Sequence, residues 1–373
     1  MNIFVNAYGC NFSGALTIYQ QFLKYLPEHV CGNKWHVLIN STMDHPDLGE
    51  SVTYIFDDNL SWFHQINLLY RGIPKMLVCD GFNADVVVSF GNLAINTKLP
   101  QLVYFHQSIP LYSRKWNPFM KNESRFFMYK HIYPFFIKNN INKDTHFVVQ
   151  IPFIKKRFVE KFGVDPGNVH VLFPDFRAID ASEVRKFDLK EEYINLLYPA
   201  TPVLFKEHST LVNAVSILKE KDTNSYKKIR IWLTFKKEDF QALYTQIVSL
   251  NIVDCFVFAG NIPYQKLLTL YNSCQGLLYP STLESLGLPL LEAASFGLPI
   301  IASKMEYAIE VIGDYKGVTF INPYDYDAWA CEIDKLVKTT PHYDSYSISK
   351  ESSWLKFYSI IFGIGENNRK NKN

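Results

Sequence analysis

A chain of 373 residues, 48% hydrophobic and 20% charged, has ordinary globular composition, which excludes a disordered or low-complexity protein. Its length fits two domains better than one and suffices to bury a core without disulfide or metal staples. Lys plus Arg at 38 against Asp plus Glu at 36 leaves a net charge of +2, which excludes the uniformly basic surface of a general nucleic-acid binder. The unusual figure is 16% aromatic, with 29 Phe and 23 Tyr, and so many rings need a large core or an exposed apolar surface. The cysteines Cys10, Cys31, Cys79, Cys255, Cys274 and Cys331 show no C-x-x-C pair or zinc-ligand spacing, so neither a disulfide framework nor a structural zinc is expected. Met1-Asn2 runs directly into Ile3 to Val5 without a basic n-region, and no stretch approaches about 18 uninterrupted apolar residues. The chain therefore reads as reduced and cytosolic, soluble or peripheral on a membrane.

Short β-branched apolar runs alternate with segments of helical period, the pattern of a parallel sheet flanked by helices. Expected strands are Asn2 to Asn6, His36 to Ile39, Val52 to Phe56, Asp85 to Phe90, Leu102 to Phe105, His146 to Val149 and Val169 to Leu172. A second series follows at Ile194 to Tyr198, Ile229 to Thr234, Cys255 to Ala259, Gly276 to Tyr279, Pro299 to Ser303 and Val318 to Ile321. Between them Phe173 to Glu192 is polar and aperiodic and reads as a linker, giving domains at about 1–178 and 190–350. The fold class is α/β, with two Rossmann-like, doubly wound domains and a ligand cleft expected between them at the carboxyl ends of the strands.

Functional residues should then lie in loops that follow strands. Ala7-Tyr-Gly-Cys-Asn-Phe-Ser-Gly-Ala15 follows the first strand, and Gly9 and Gly14 let backbone approach a ligand, although this is neither G-x-G-x-x-G nor a Walker loop. His106 ends Leu102-Val-Tyr-Phe-His, and Gln150 follows the next strand. Tyr198-Pro-Ala-Thr-Pro-Val-Leu-Phe-Lys-Glu-His208 carries Lys206 from a strand end into a helix. Tyr279-Pro-Ser-Thr-Leu-Glu-Ser-Leu-Gly-Leu-Pro-Leu-Leu-Glu292 has a strand end, a loop with Gly287, and Pro289 suited to a first helical turn. The amides of Ser285, Leu286, Gly287 and Leu288 would point outward at a helix start, which favours a phosphate or diphosphate. Glu292, one turn inside, can accept hydrogen bonds from a ribose diol. An isolated pair of glutamates reads equally as a helix-capping acid and a first-turn acid. Asp325-Tyr-Asp327 looks like a D-x-D metal motif but sits before a helical segment, where capping explains it better, and no metal ligands are expected.

The last of these long segments resembles the Glu-x7-Glu signature of retaining GT-B glycosyltransferases of family 4, borne here by Glu284 and Glu292. The resemblance continues through Pro299-Ile-Ile-Ala-Ser303 and Asn322-Pro-Tyr-Asp325 and covers most of the second domain. It implies that the amides of Ser285 to Leu288 bind the donor diphosphate, Glu284 contacts the donor sugar and Glu292 the ribose. It also implies that Lys206 neutralises the departing diphosphate, that Gly14 lies at the diphosphate and acceptor, and that His106 bonds the donor sugar. Similar enzymes often carry an Arg five residues before the Lys. That position is Thr201 here, and the helix amides or His208 would have to compensate. The implied enzyme is a retaining, metal-independent hexosyltransferase that moves a sugar from a nucleoside-diphosphate sugar to a glycan or lipid-linked acceptor in bacterial surface polysaccharide, such as lipopolysaccharide O-antigen or capsule. It needs no cofactor, has no nucleic-acid partner, and attacks from the front face without a side-chain nucleophile. A GT-B epimerase or hydrolase, and a transferase-like scaffold that binds without turnover, stay open.

Residues 112–143 hold seven Lys or Arg, one Glu and nine aromatic residues, a net charge of +6 that leaves the remainder at −4. This composition suits anionic headgroups and the interfacial zone, so peripheral membrane contact is one expectation, and an amphipathic helix pair with its rings in the core is the other. Ser353 to Phe362 has an apolar helical face and resembles the terminal GT-B helix, about 353–363, that rejoins the first domain. The polar, basic stretch Glu366–Asn373 is expected to be a disordered tail.

Overall fold

A computed structural model describes residues 1–11, 13–79, 81–176, 179–346 and 352–372. It divides into two compact units, residues 1–175 with 350–373, and residues 176–349. The first holds β1 (Asn2–Asn6), β2 (Lys34–Ile39), β3 (Val52–Phe56), β4 (Val86–Ser89), β5 (Gln101–Tyr104), β6 (Thr145–Val149) and β7 (Val169–Val171). They form one parallel sheet in the order β3-β2-β1-β4-β5-β6-β7. The second holds β8 (Ile194–Tyr198), β9 (Ile229–Leu233), β10 (Phe256–Phe258), β11 (Gly276–Tyr279), β12 (Ile300–Ser303) and β13 (Val318–Ile321), parallel in the order β10-β9-β8-β11-β12-β13. Every expected strand is present, with ends displaced by at most two residues.

The central strands are buried almost throughout and mainly apolar, as expected where helices cover both faces of a parallel sheet. All four residues of β4 are buried, and Val5 of β1 sits in register between Val37 and Val88. Strand order reverses between β1 and β4 in the first sheet and between β8 and β11 in the second. At such a switch point the connections leave in opposite directions and open a crevice at the carboxyl ends of the strands.

The helix Trp354–Lys372 belongs to the first unit and supplies much of its aromatic core. Tyr358 stacks on Phe22 with ring centroids 5.6 Å apart and donates to its carbonyl at 2.8 Å. Phe357 lies 5.8 Å from Phe90, and Trp354 stacks on Tyr104 at 6.3 Å.

Two expectations need correction. The Glu366–Asn373 stretch is helical through Lys372 rather than a disordered tail, because Asp85 anchors it: Asn368 Nδ2 donates to the Asp85 carbonyl at 2.8 Å, and Arg369 reaches the carboxylate at 2.8 and 2.9 Å. The second unit also begins before residue 190. Asn272 Nδ2 donates to the carbonyls of Ala181 at 3.1 Å and Val184 at 2.6 Å, the Phe187 amide donates to Ser273 Oγ at 2.5 Å, and the Phe187 ring meets Trp232 edge-on. These attachments are mostly main-chain, so polar composition concealed them. The expected boundaries at 178 and 350 lie outside the described residues. Among the described residues no helix is long and apolar enough to cross a membrane.

Phe357→Ala removes a fully buried ring between Phe90 and Trp354. It is expected to destabilise the first unit by about 3–5 kcal/mol, read as a lower denaturant midpoint for the transition of that unit.

Candidate functional site

In the second unit the loops after β8 and β11, on either side of the switch point, carry the site. The β8 loop closes into a short 3-10 turn, Leu204–Lys206, and Glu207 follows in the left-handed region at φ 50° before the helix His208–Lys221. The β11 loop runs to Gly287, whose φ of 82° turns the chain into the helix Leu288–Ser295 with Pro289 in its first turn. A Cβ at Gly287 would lie 3.2 Å from the Tyr307 ring, so glycine is required there by conformation and by space. The Thr282 amide and hydroxyl donate to the Phe205 carbonyl at 2.9 and 3.1 Å, which joins the two loops.

Lys206 Nζ donates to Glu284 Oε1 in a largely buried ion pair. The same oxygen accepts from Tyr279 Oη at 2.8 Å and Ser281 Oγ at 2.7 Å. Burial, reinforced by the Glu284 charge, pushes the Tyr279 hydroxyl well up, so it stays a protonated donor. Tyr198 Oη donates to the Lys206 carbonyl, and the Tyr198 and Tyr279 rings meet edge-on at 5.7 Å. The two strand-end tyrosines thus set the heights of both charged residues. Glu284 lies outside the helix, whose N-cap position is Gly287.

The amides of Ser285, Leu286, Gly287 and Leu288 precede or open that helix and have no acceptor among the described residues, as at any helix start. Glu292 is buried and accepts from Tyr271 Oη at 2.8 Å. Burial raises its pKa from the usual carboxylate range, and the Tyr271 phenol opposes the rise. It is therefore not the solvated first-turn acid that an isolated glutamate would suggest. Tyr279, Ser281 and Tyr271 were not expected. The first two adjoin the motif and were legible as its neighbours, whereas Tyr271 comes from another helix and left no signal in the motif.

Thr201 is exposed beyond β8, its carbonyl accepting from the Val203 amide at 2.9 Å. His208 cannot supply the missing positive charge. It is buried edge-on against Phe235, and burial, then the neighbouring Lys206 charge, holds its pKa down to about 3. Asp325 accepts from the Ala328 amide at 3.1 Å as a helix cap, and Asp327 pairs with Lys221 at 2.6 Å. Among the described residues no group of three or more His, Cys, Asp or Glu is arranged to hold a metal ion.

The first unit builds a different, uncharged cluster. Asn92, after β4, adopts φ 64°, and its Oδ1 accepts from the amides of His106 at 2.7 Å and Gln107 at 2.9 Å. Its Nδ2 must then face His106 Nε2, 3.2 Å away, which makes Nε2 the acceptor and puts the ring proton on Nδ1. Burial lowers the His106 pKa to about 4, so the ring is neutral, and Nδ1 has no partner among the described residues. Gln150 is buried beside the Tyr104 hydroxyl. Gly9 has a φ of 79°, whereas Gly14 is exposed in the helix Ser13–Tyr25 and a Cβ there would meet nothing within 4 Å. The first unit itself does not require glycine at 14.

Residues 180–351, nearly the whole of the second unit, match the family described as Glycosyl transferases group 1. The chain is 23% identical over 257 residues to the O-antigen chain mannosyltransferase RfbU of Salmonella typhimurium, an alignment spanning 67% of each chain. In structure it is similar to WaaG, a glycosyltransferase involved in lipopolysaccharide biosynthesis, with a TM-score of 0.62, 14% identity, and coverage of 99% of this chain and 94% of that one. It is also similar to HepE of Anabaena in complex with UDP and glucose, with a TM-score of 0.62, 12% identity, and coverage of 100% and 98%. The fold is accordingly that of GT-B glycosyltransferases, two Rossmann-like α/β domains.

Two measurements test the environments just described. A buried acid whose pKa is raised on folding stabilises the protein below its unfolded pKa, and that contribution is lost as pH rises through the folded value. Stability of the wild type relative to Glu292→Gln should therefore fall as pH rises from about 4.5 to 7, read from paired thermal melts. Asn92→Asp places a carboxylate at His106 Nε2 and should raise the His106 pKa from about 4 towards the ordinary 6.5, followed by NMR titration of the ring protons.

Proposed function

We propose that this protein is a retaining glycosyltransferase of the family 4 type, which moves a hexose from a nucleoside-diphosphate sugar to a glycan or lipid-linked acceptor of a bacterial surface polysaccharide, such as lipopolysaccharide O-antigen or capsule. The observation that carries the reading is the Lys206–Glu284 pair at the switch point of the second sheet, in the loop that leads through Ser285 to Leu288 into a helix start. Burying two charges usually costs more than their attraction returns, so stability does not account for the pair. A diphosphate at the helix start offers Lys206 a second anionic partner, and Glu284, released from part of that bond, can accept from a hydroxyl of the donor sugar. Glu292 bonds the ribose. Lys206 and the helix amides then stabilise charge on the departing diphosphate, which is where the transition state differs most from the bound donor.

Attack comes from the acceptor hydroxyl on the face the diphosphate leaves, with no enzyme nucleophile and no metal ion. Thr201 makes no charged contact with the diphosphate, and the amides carry that share of the binding. His106, neutral and presenting Nδ1–H, donates to the donor sugar, and the chain near Gly14 lies against the diphosphate and acceptor. The enzyme works in the cytoplasm, with peripheral contact through residues 112–143 to an anionic membrane that presents the acceptor. Similarity to an O-antigen chain mannosyltransferase makes a nucleoside-diphosphate mannose the first donor to try.

A thermal-shift panel of UDP-, GDP-, ADP- and CMP-linked sugars should give one base that raises the melting temperature, because a ligand that binds only the folded state stabilises it. With that donor, folded Glu284→Gln should transfer at least about 100-fold more slowly than wild type, EDTA should leave the rate unchanged, and the product should keep the anomeric configuration of the donor. Wild-type transfer by Glu284→Gln would overturn the assignment. Donor consumption without acceptor would mark a hydrolase or epimerase, and stabilisation without product on any acceptor would mark a binding scaffold.

A further inference from the structure

Trp62 joins two surface segments of the first unit into one line of rings. Its ring centroid lies 5.5 Å from Phe63 and 5.7 Å from Phe136, and Phe136 lies 5.5 Å from Phe135, each pair edge-on. Asn139 Nδ2 donates to Tyr70 Oη at 2.8 Å and fixes the same two segments a second time. The line is open to water: Phe63 is 81% exposed, Phe135 63% and Trp62 41%. By contrast Trp116, in the same basic window as Phe135, is buried, with Phe126 4.8 Å away. An exposed run of interlocked rings marks an interaction surface rather than a core that failed to close.

Charge identifies the partner. Residues 112–143 carry +6, and residues 59–79 contain Arg71 and Lys75 without a single Asp or Glu. Lys138 is exposed one helical turn from Phe135. The nearest preceding acids are already engaged, Asp57 with His64 at 2.6 Å and Asp58 with Ser41 at 2.9 Å. A second copy of the chain docking on this face through a two-fold axis would set like charge against like. An anionic lipid surface matches both features, because it attracts the cations and accepts the rings at headgroup depth.

We infer that Trp62 and Phe63, with Phe135 and Phe136, form a membrane-inserting edge of the first unit, held to anionic lipid by Lys and Arg of the same two segments. This deepens the membrane contact proposed above by adding a segment outside residues 112–143 and by separating rings that insert from rings, such as Trp116, that do not.

Co-sedimentation of the full chain with vesicles of equal parts phosphatidylglycerol and phosphatidylcholine tests it without donor or acceptor, so it can fail while the transferase assignment stands, and the reverse. The wild type should bind these vesicles, bind pure phosphatidylcholine far less, and be released by high salt. Trp62→Ser/Phe63→Ser should lower the partition coefficient by at least about tenfold while leaving the thermal melt and transfer to a soluble acceptor unchanged. If the double variant is unstable, Phe63→Ser alone should give the same direction, since that ring is the most exposed of the line. Lack of wild-type binding to the anionic vesicles, or wild-type binding by the ring variants, would overturn the inference. So would a dimer in sedimentation velocity that the ring variants dissociate while vesicle binding persists.

Discussion

The bond from Lys206 to Glu284 holds together the end of the second sheet where its strand order reverses. Both residues lie in loops, and neither loop has a regular ladder to keep it in place. Their positions are set instead by the strands beneath. Tyr198 and Tyr279 finish β8 and β11, lock against each other edge-on, and send one hydroxyl to the Lys206 carbonyl and one to the Glu284 carboxylate. Ser281 donates to the same carboxylate oxygen. Two charges withdrawn from water need hydrogen-bonding support, and at the carboxylate the Tyr279 and Ser281 hydroxyls give it to the oxygen that Lys206 also contacts. The left-handed Glu207 and Gly287 follow from the same constraint, since each lets a helix start directly beyond the pair.

The first sheet uses the same topology with different chemistry. At its switch point the loops after β4 and β5 meet through Asn92, whose carbonyl oxygen takes two main-chain amides and whose nitrogen faces the His106 ring. Asn tolerates the positive φ this needs better than most residues. The outcome is a neutral imidazole with a fixed tautomer. One unit therefore offers an ammonium, carboxylates and a helix start, which suit a charged leaving group. The other offers uncharged donors, which suit hydroxyl-bearing ligands without adding a charge near them.

The aromatic excess divides along similar lines. Phe22, Phe90, Tyr104 and Trp35 surround the C-terminal helix and bury Trp354, Phe357 and Tyr358, so the last segment of the chain completes the core that the first strand begins. Trp62, Phe63 and Phe135 face water instead. Both sets are equally apolar, and what separates them is whether a neighbouring element covers them.

That separation also marks what could be read from the chain alone. The thirteen strands were legible because fully buried parallel strands are written as short β-branched runs, a local signal. The Glu284 and Glu292 loop was legible for the same reason, with glycine and proline at the positions where backbone geometry demands them. Asn92 could not be read, because nothing in Phe90-Gly-Asn92 shows that a side chain would reach His106 in the loop after the adjacent strand. Nor could the anchoring of Asn368 and Arg369 on Asp85, far apart in sequence and close in space. The sequence by itself determined which segments are strands, where glycine and proline turn a strand end into a helix, and how charge is distributed. Only the tertiary structure decided which polar groups satisfy one another and which rings are covered, because hydrogen-bond pairing and burial depend on distances that chain folding sets and local pattern does not contain.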